Sequence, residues 1–288
     1  MSGVNLIGGS RMTRFLMLLP ATLWFAVLLL LPVAVILVFS VGERGPAGGF
    51  VPGFTLAHYG NLGARWAAFE NTLTLAPLGT LGCLLVAYPL AYFLAIHTSR
   101  WKSFLLTLVI IPFWTSFLIR TYAWIYILGG KGLPSFLEFL GFDYMRMLNT
   151  PGAITVGIIY GYLPLMVFPI YVTLERLDKR LLEASHDLGA NKIATFFRVT
   201  IPLSLPGIIT GSMLVFILLM GEFLIPAILG GGKVFFVGNA LVDLFLQSRN
   251  WPFGAAIAMT LVVLMLITIG AYLKLVSRFH DKQALSAM

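Results

Sequence analysis

Six apolar runs, each long enough to cross a bilayer, divide this 288-residue chain and leave few folds open to it. They read as residues 15–41, 71–97, 104–128, 153–173, 206–229 and 253–276. A membrane helix needs about 20 such residues, because each rises only about 1.5 Å through a hydrocarbon core of roughly 30 Å. No water reaches the backbone in that core, so the runs are predicted to be helices. Composition agrees, with 59% hydrophobic and 10% charged residues where a soluble domain carries roughly a quarter charged. The expected fold is all-α and integral to the membrane. No segment recurs, so residues 1–288 read as one transmembrane domain without internal duplication.

Orientation follows from the basic residues. The first run, Phe15 to Val41, is longer than the apolar core of a secretory signal, so it is expected to stay as an uncleaved first span. Lys and Arg number two before it, two in Thr98 to Ser103, five in Leu174 to Leu205 and three from Lys274 onward, against six in the three remaining loops. The positive-inside rule therefore places both termini and the 174–205 loop in the cytoplasm. Topology thus accounts for the formal charge of +8, and no nucleic-acid motif accompanies it. Cys83 is the only cysteine, which excludes an intrachain disulfide and a cysteine metal site. His58, His97, His186 and His280 are too scattered to suggest a metal centre.

The loop from Leu174 to Leu205 is the most informative polar interval. Leu177, Leu181, Ala184 and Leu188 recur at helical spacing, Asp178 stands where a helix is capped, and Gly189 where one ends in a left-handed residue. A second short helix is expected after Asn191, with Ile193, Phe196 and Phe197 on one side, stopping by Pro202. Two short helices meeting at Gly189 would leave apolar faces in need of cover. The chain also lacks a GxxxxGK[ST] phosphate cradle, since Gly230-Gly231-Gly232-Lys233 is misspaced and lies on the outer side. Uphill transport by such a chain would need hydrolysis on a partner, docked as a helix in a groove.

Glu183-Ala184-Ser185, three residues, Gly189, nine residues and Val199-Thr200-Ile201-Pro202 resemble the EAA loop of ABC importer permeases. Ser185 stands for the second Ala, Val199 for the Ile and Ile201 for the Leu. The resemblance extends to Ile111-Pro112-Phe113-Trp114-Thr115-Ser116-Phe117 through Trp124, to Gly221-Glu222-Phe223-Leu224-Ile225-Pro226, and to Arg249-Asn250-Trp251-Pro252. Those stretches are similar to the first permease subunit of bacterial spermidine/putrescine importers. The resemblance implies a type I ABC importer permease in the bacterial inner membrane, with the 174–205 loop as its coupling-helix loop. It implies as partners a second, similar permease chain, an ATPase dimer holding ATP and Mg²⁺, and an outer solute-binding protein. The chain itself would be neither an enzyme nor a cofactor carrier. Glu183, Ala184, Ser185, Gly189, Ile201 and Pro202 are the expected ATPase-coupling residues. A polyamine is the leading solute; another small cation, an amino-acid derivative or a phosphonate-like compound stays open. A channel or secondary carrier would account for the spans and leave the loop unexplained.

Glu222 and Arg120 are charges inside predicted spans, each costing about 2.5–3.5 kcal/mol near the bilayer centre on insertion scales. They either pair with each other, or Glu222 faces the path of a cationic solute. Trp114, Tyr122, Trp124, Tyr126, Tyr160 and Tyr162 read as an interfacial belt or as a wall attracting ammonium groups. The expected path residues are Glu222, Arg120, Trp114, Tyr122 and Tyr160. Gly157/Gly161 and Gly207/Gly211 allow close helix approach.

Overall fold

The computed structural model describes residues 11–97 and 100–286, with side chains over 17–96 and 100–274. The polar stretch before Arg11, Thr98 and Ser99 of the expected turn, and the tail's Arg278 and Lys282 side chains lie outside the described residues. The described chain divides into two compact units.

One unit runs up to Leu62 and includes Leu244–Thr260. Its first span is α1 (Arg11–Ser40), whose described residues from Met17 bury almost nothing, as expected of a helix wrapped in hydrocarbon. A small antiparallel hairpin follows, pairing Glu43 with Val51 and Arg44 with Phe50. Gly48 and Gly49 turn it with φ of 87° and 83°, which side chains with a Cβ rarely adopt. The loop before residue 251 is tied to this hairpin by Gly49 N donating to Arg249 O at 2.7 Å and by Arg44 donating to Ser248 O at 2.9 Å. The short helix α2 (Ala57–Gly60) brings Tyr59 to Ser40, whose hydroxyl it meets at 2.7 Å, and His58 to Gly42 O at 3.0 Å. His58 is thus a loop-bracing residue.

The other unit comprises Gly63–Asp243 and the chain from Leu261. Its core is α3 (Trp66–Tyr92), with later α7 (Pro151–Glu175) and α10 (Ile201–Met220) against it. Along α3 the stripe Ala76, Gly79, Cys83, Ala87 and Ala91 is buried. A side chain on Gly79 would stand 2.8 Å from Ile158 of α7, so small residues are what let these helices touch. Between them in sequence come α4 (Lys102–Trp114), α5 (Phe117–Leu128) and α6 (Leu133–Phe139). The expected continuous third span, 104–128, is instead broken: Lys102–Trp114 and the stretch Phe117–Phe139 that holds α5 and α6 are bent by 93°. Pro112 removes a donor from the last turn of α4, and Thr115 and Ser116 then adopt extended backbone (ψ 154° and 129°).

The remaining elements are α8 (Lys179–Asp187), α9 (Lys192–Thr195), α11 (Leu224–Leu229), α12 (Val237–Val242) and α13 (Trp251–Ser286). Two further expectations need correction. The helix after Asn191 does not stop by Pro202; α9 passes through a wide π turn at Phe196–Thr200 into α10, giving one 29-residue span, Lys192–Met220. Pro202 sits in the first turn of α10, where a missing donor is tolerated, and the wide turn lies where a regular ladder would need it. The fifth span, expected over 206–229, ends as a helix at Met220, and Gly221–Phe223 separate it from α11. Five described helices are long and apolar enough to cross a membrane, and the bent pair makes a sixth when taken as one span.

Candidate functional site

The 174–205 loop is built by local capping. Asp178 accepts from Arg180 N at 3.0 Å and starts α8; Asn191 accepts from Ala194 N at 2.8 Å and starts α9. Between them Gly189 has φ of 85°, with Gly189 N donating to His186 O at 2.9 Å and Ala190 N to Ser185 O at 3.1 Å. Those two bonds are the Schellman pattern that a glycine at this place permits. His186 Nδ1 lies 3.0 Å from Ala190 O and adds to the same turn. Ser185 does more than replace an alanine: its hydroxyl meets that of buried Thr195 at 3.0 Å and locks the elbow between the two helices.

The opposite side is bare. Leu181, Ile193 and Phe197 are exposed and Leu188 is 89% exposed, whereas Phe196, expected on the same face, packs edge-on against Tyr88 and Tyr92. Glu183 and Ala184 lie on the exposed part of α8, and Glu183 makes no ion pair with Arg180 among the described residues. Ile201 and Pro202 are half-buried at the start of α10, some distance along the chain from the elbow. An interaction that sequence reasoning missed anchors the loop: Lys102, opening α4, pairs at 2.5 Å with Glu175, the last residue of α7, and lies over the Tyr171 ring.

The second cluster surrounds the break after α10. Glu222 is only 6% exposed, and both of its carboxylate oxygens accept hydrogen bonds. One oxygen accepts from Leu224 N at 2.7 Å and Ile225 N at 3.2 Å, capping α11; the other accepts from the Tyr162 hydroxyl. Asn239 holds the same break by donating to Phe223 O at 2.6 Å. Arg120 is 9% exposed and does not pair with Glu222; its guanidinium carbon lies 5.5 Å from the Phe113 ring and 5.4 Å from that of Phe117. Phe117 in turn meets Tyr162 edge to face at 5.9 Å. The aromatic set splits. Trp114 is 82% exposed and Tyr122 and Tyr126 are also open, while Tyr160 packs on Trp124 at 5.5 Å and Tyr162 turns inward to Glu222. Tyr162 was legible as an aromatic and not as the partner of a carboxylate 60 positions away. An apolar cavity of about 340 Å³ among α3, α10 and α13, lined by Leu81, Leu84, Met213, Phe216 and Tyr272, includes none of the expected path residues.

Both glycine pairs pack as their spacing suggests. Gly157 and Gly161 lie against Ile225, Leu229 and Phe117, and Gly207 and Gly211 lie against the backbone of α7 at Pro169 and Met166.

Comparison with known proteins adds to this geometry. The family described as binding-protein-dependent transport system inner membrane component matches residues 87–281. The spermidine/putrescine transport system permease protein PotB of Haemophilus influenzae is 41% identical over 254 residues, 86% of this chain and 89% of its own. PotB of Escherichia coli K12 is 40% identical over 265 residues, 90% of this chain and 96% of its own. Among solved structures, a bacterial alginate ABC transporter in complex with an alginate pentasaccharide-bound periplasmic protein has a chain that superposes with a TM-score of 0.71 at 18% identity, covering 90% of this chain and 92% of that one.

Proposed function

The chain belongs to the family of binding-protein-dependent transport system inner membrane components, and from that premise we propose that it forms half of the translocation path of a polyamine importer. It is a multi-pass inner-membrane permease with the type I ABC importer fold. The solute proposed is spermidine or putrescine, on the likeness to PotB over most of the chain. The fold alone does not choose the solute, since a transporter of alginate shares it.

The observation that carries the coupling is the uncovered apolar elbow around Gly189, with Leu181, Leu188, Ile193 and Phe197 exposed beside it. In the proposed assembly a separate ATPase subunit covers that face, with ATP and Mg²⁺ bound there, and Glu183, Ala184, Ser185, Gly189, Ile201 and Pro202 form or support the contact. Both termini and the elbow lie in the cytoplasm. A second, similar permease subunit completes the path, and an outer binding protein delivers solute. Closure of the ATPase dimer on ATP draws the two elbows together and opens the spans outward; hydrolysis returns them inward. The proposed path side carries Glu222, Arg120, Trp114, Tyr122 and Tyr160.

The test is co-purification followed by uptake in proteoliposomes. The tagged chain is expected to bring down an ATPase subunit and to support ATP-dependent uptake of labelled spermidine or putrescine when the binding protein is supplied. Purification without an ATPase, or uptake without ATP, would overturn the reading.

Glu222→Gln separates two roles for the path carboxylate. Glutamine keeps an oxygen for the Leu224 and Ile225 amides and so preserves the cap on α11. If the charge faces a polycation, uptake is expected to fall about tenfold, the scale of one charge-assisted bond, while protein yield holds. Unchanged uptake would restrict Glu222 to capping.

A further inference from the structure

Among the buried residues described, two carry charge, Glu222 and Arg120, and only one of them is answered. Glu222 accepts three hydrogen bonds. Arg120 has its Nε buried without a hydrogen-bond partner, and no carboxylate of the described residues lies within ion-pair distance. A guanidinium stays cationic in proteins, so the charge persists. The rings of Phe113 and Phe117 attract the cation and leave its charge in place. Arginines at membrane depth pair with charged groups or carbonyls, or face water. Glu222 does not pair with it: its oxygens accept from Tyr162, Leu224 and Ile225, and Phe117 packs against both Arg120 and Tyr162. Among the described residues no anion answers it.

Position narrows the source. Arg120 lies one turn past the 93° break, on α5, and on its side of that helix Ala123 and Ile127 are exposed. The 13 residues of α4 rise about 20 Å, less than the roughly 30 Å of a hydrocarbon core. There the guanidinium is held under rings instead of extending to a headgroup. A polycationic solute would be repelled by it. A protein surface carrying a carboxylate satisfies both the cation and the uncovered apolar side chains.

We propose that this face of α5 is a contact with the second permease subunit, and that a carboxylate of that subunit pairs with Arg120 across the path. The inference rests on the reading that the importer contains such a subunit. The pair explains why a cation persists in the path of a cationic solute: neutralised by the neighbouring subunit, it ties the two halves together at the broken span.

The test is an electron cryomicroscopy structure of the whole assembly in lipid nanodiscs. A carboxylate oxygen of the second permease subunit within ion-pair distance of the Arg120 guanidinium is expected. A lipid phosphate, a free anion, Glu222 or the two rings alone in that place would overturn the inference. A particle without a second permease subunit would overturn the reading beneath it instead. In purification, Arg120→Met is expected to lower recovery of the second subunit by at least about tenfold, since an unpartnered buried charge would be left behind. Arg120→Lys should retain most of it, and neutralising the facing carboxylate should restore recovery with Arg120→Met. Unaltered recovery with Arg120→Met would also overturn the inference. If that variant fails to insert, the structure of the unaltered assembly decides.

Discussion

Gly207→Leu is expected to remove nearly all folded protein from the membrane. Gly207 faces α7 so closely that a Cβ there would stand 2.5 Å from Pro169 O, 2.6 Å from Thr173 Oγ1 and 2.9 Å from Ile170 Cα. Two of those three atoms are backbone, so no rotamer change clears the space, and α10 has to move off α7. The side chains that seal this core, Met166, Ile170, Val215 and Leu219, are fully buried, and separation would strip contacts from all of them. Overpacking a core typically costs about 1–3 kcal/mol, and more where backbone must yield, against a total stability of about 5–15 kcal/mol. In a bilayer the loss is not offset by hydrophobic collapse, because lipid is as apolar as the separated faces. Fluorescence-detected size-exclusion chromatography after mild detergent extraction would read the effect as loss of the monodisperse peak. Gly270→Ala is the control: nothing lies within 4 Å of its Cβ, so yield is expected to hold or rise. A full peak from Gly207→Leu would mean that α7 and α10 are not in this close register.

Why the chain shows some of this in its sequence and hides the rest follows from how far apart the interacting residues lie. Capping is local, so Asp178, Gly189 and Asn191 could be assigned from neighbours within three or four positions, and each performs as expected. Spans are legible because the lipid imposes one length and one polarity on all of them. Breaks are not. Apolar residues continue on both sides of Thr115–Ser116, so hydropathy sees one span where the backbone turns by 93°; Pro112 was the one available signal. The Pro202 expectation failed for the opposite reason. Proline bars a regular helix interior, and here a π turn ahead of it let the helix continue. At the site, the cost of burying charge identified Arg120 and Glu222 as residues that must be sheltered. Their shelters come from elsewhere in the fold: Tyr162 lies 60 positions from Glu222, and no periodicity carries that pairing.

Gly189→Asp and Glu183→Arg are each expected to reduce uptake to background while leaving insertion and yield intact. For Gly189 nothing lies within 4 Å of an added Cβ, so the cost to the chain is conformational and not steric. Holding an ordinary residue at φ of 85° costs about 1–2 kcal/mol, small against the whole fold. The Ser185–Thr195 bond and the two caps still hold the elbow, so the helices remain while their angle relaxes. Aspartate then adds a charge beside Leu188 and Ile193, on the face that has to be desolvated when a partner covers it. For Glu183 the reasoning is stronger. The side chain is exposed and has no ion pair within the described residues, so reversing its charge removes nothing the isolated chain uses. Any loss must arise from something that binds there. Both variants should therefore retain normal thermal stability in detergent and lose recovery of the ATPase subunit, binding-protein-stimulated ATP hydrolysis and uptake together. Gly189→Ala, which adds strain without charge, should fall between them and the unaltered protein. Normal transport by both charged variants would show that the elbow is an ordinary loop and that force enters the spans elsewhere, with the Lys102–Glu175 junction at the ends of α4 and α7 as the next place to look.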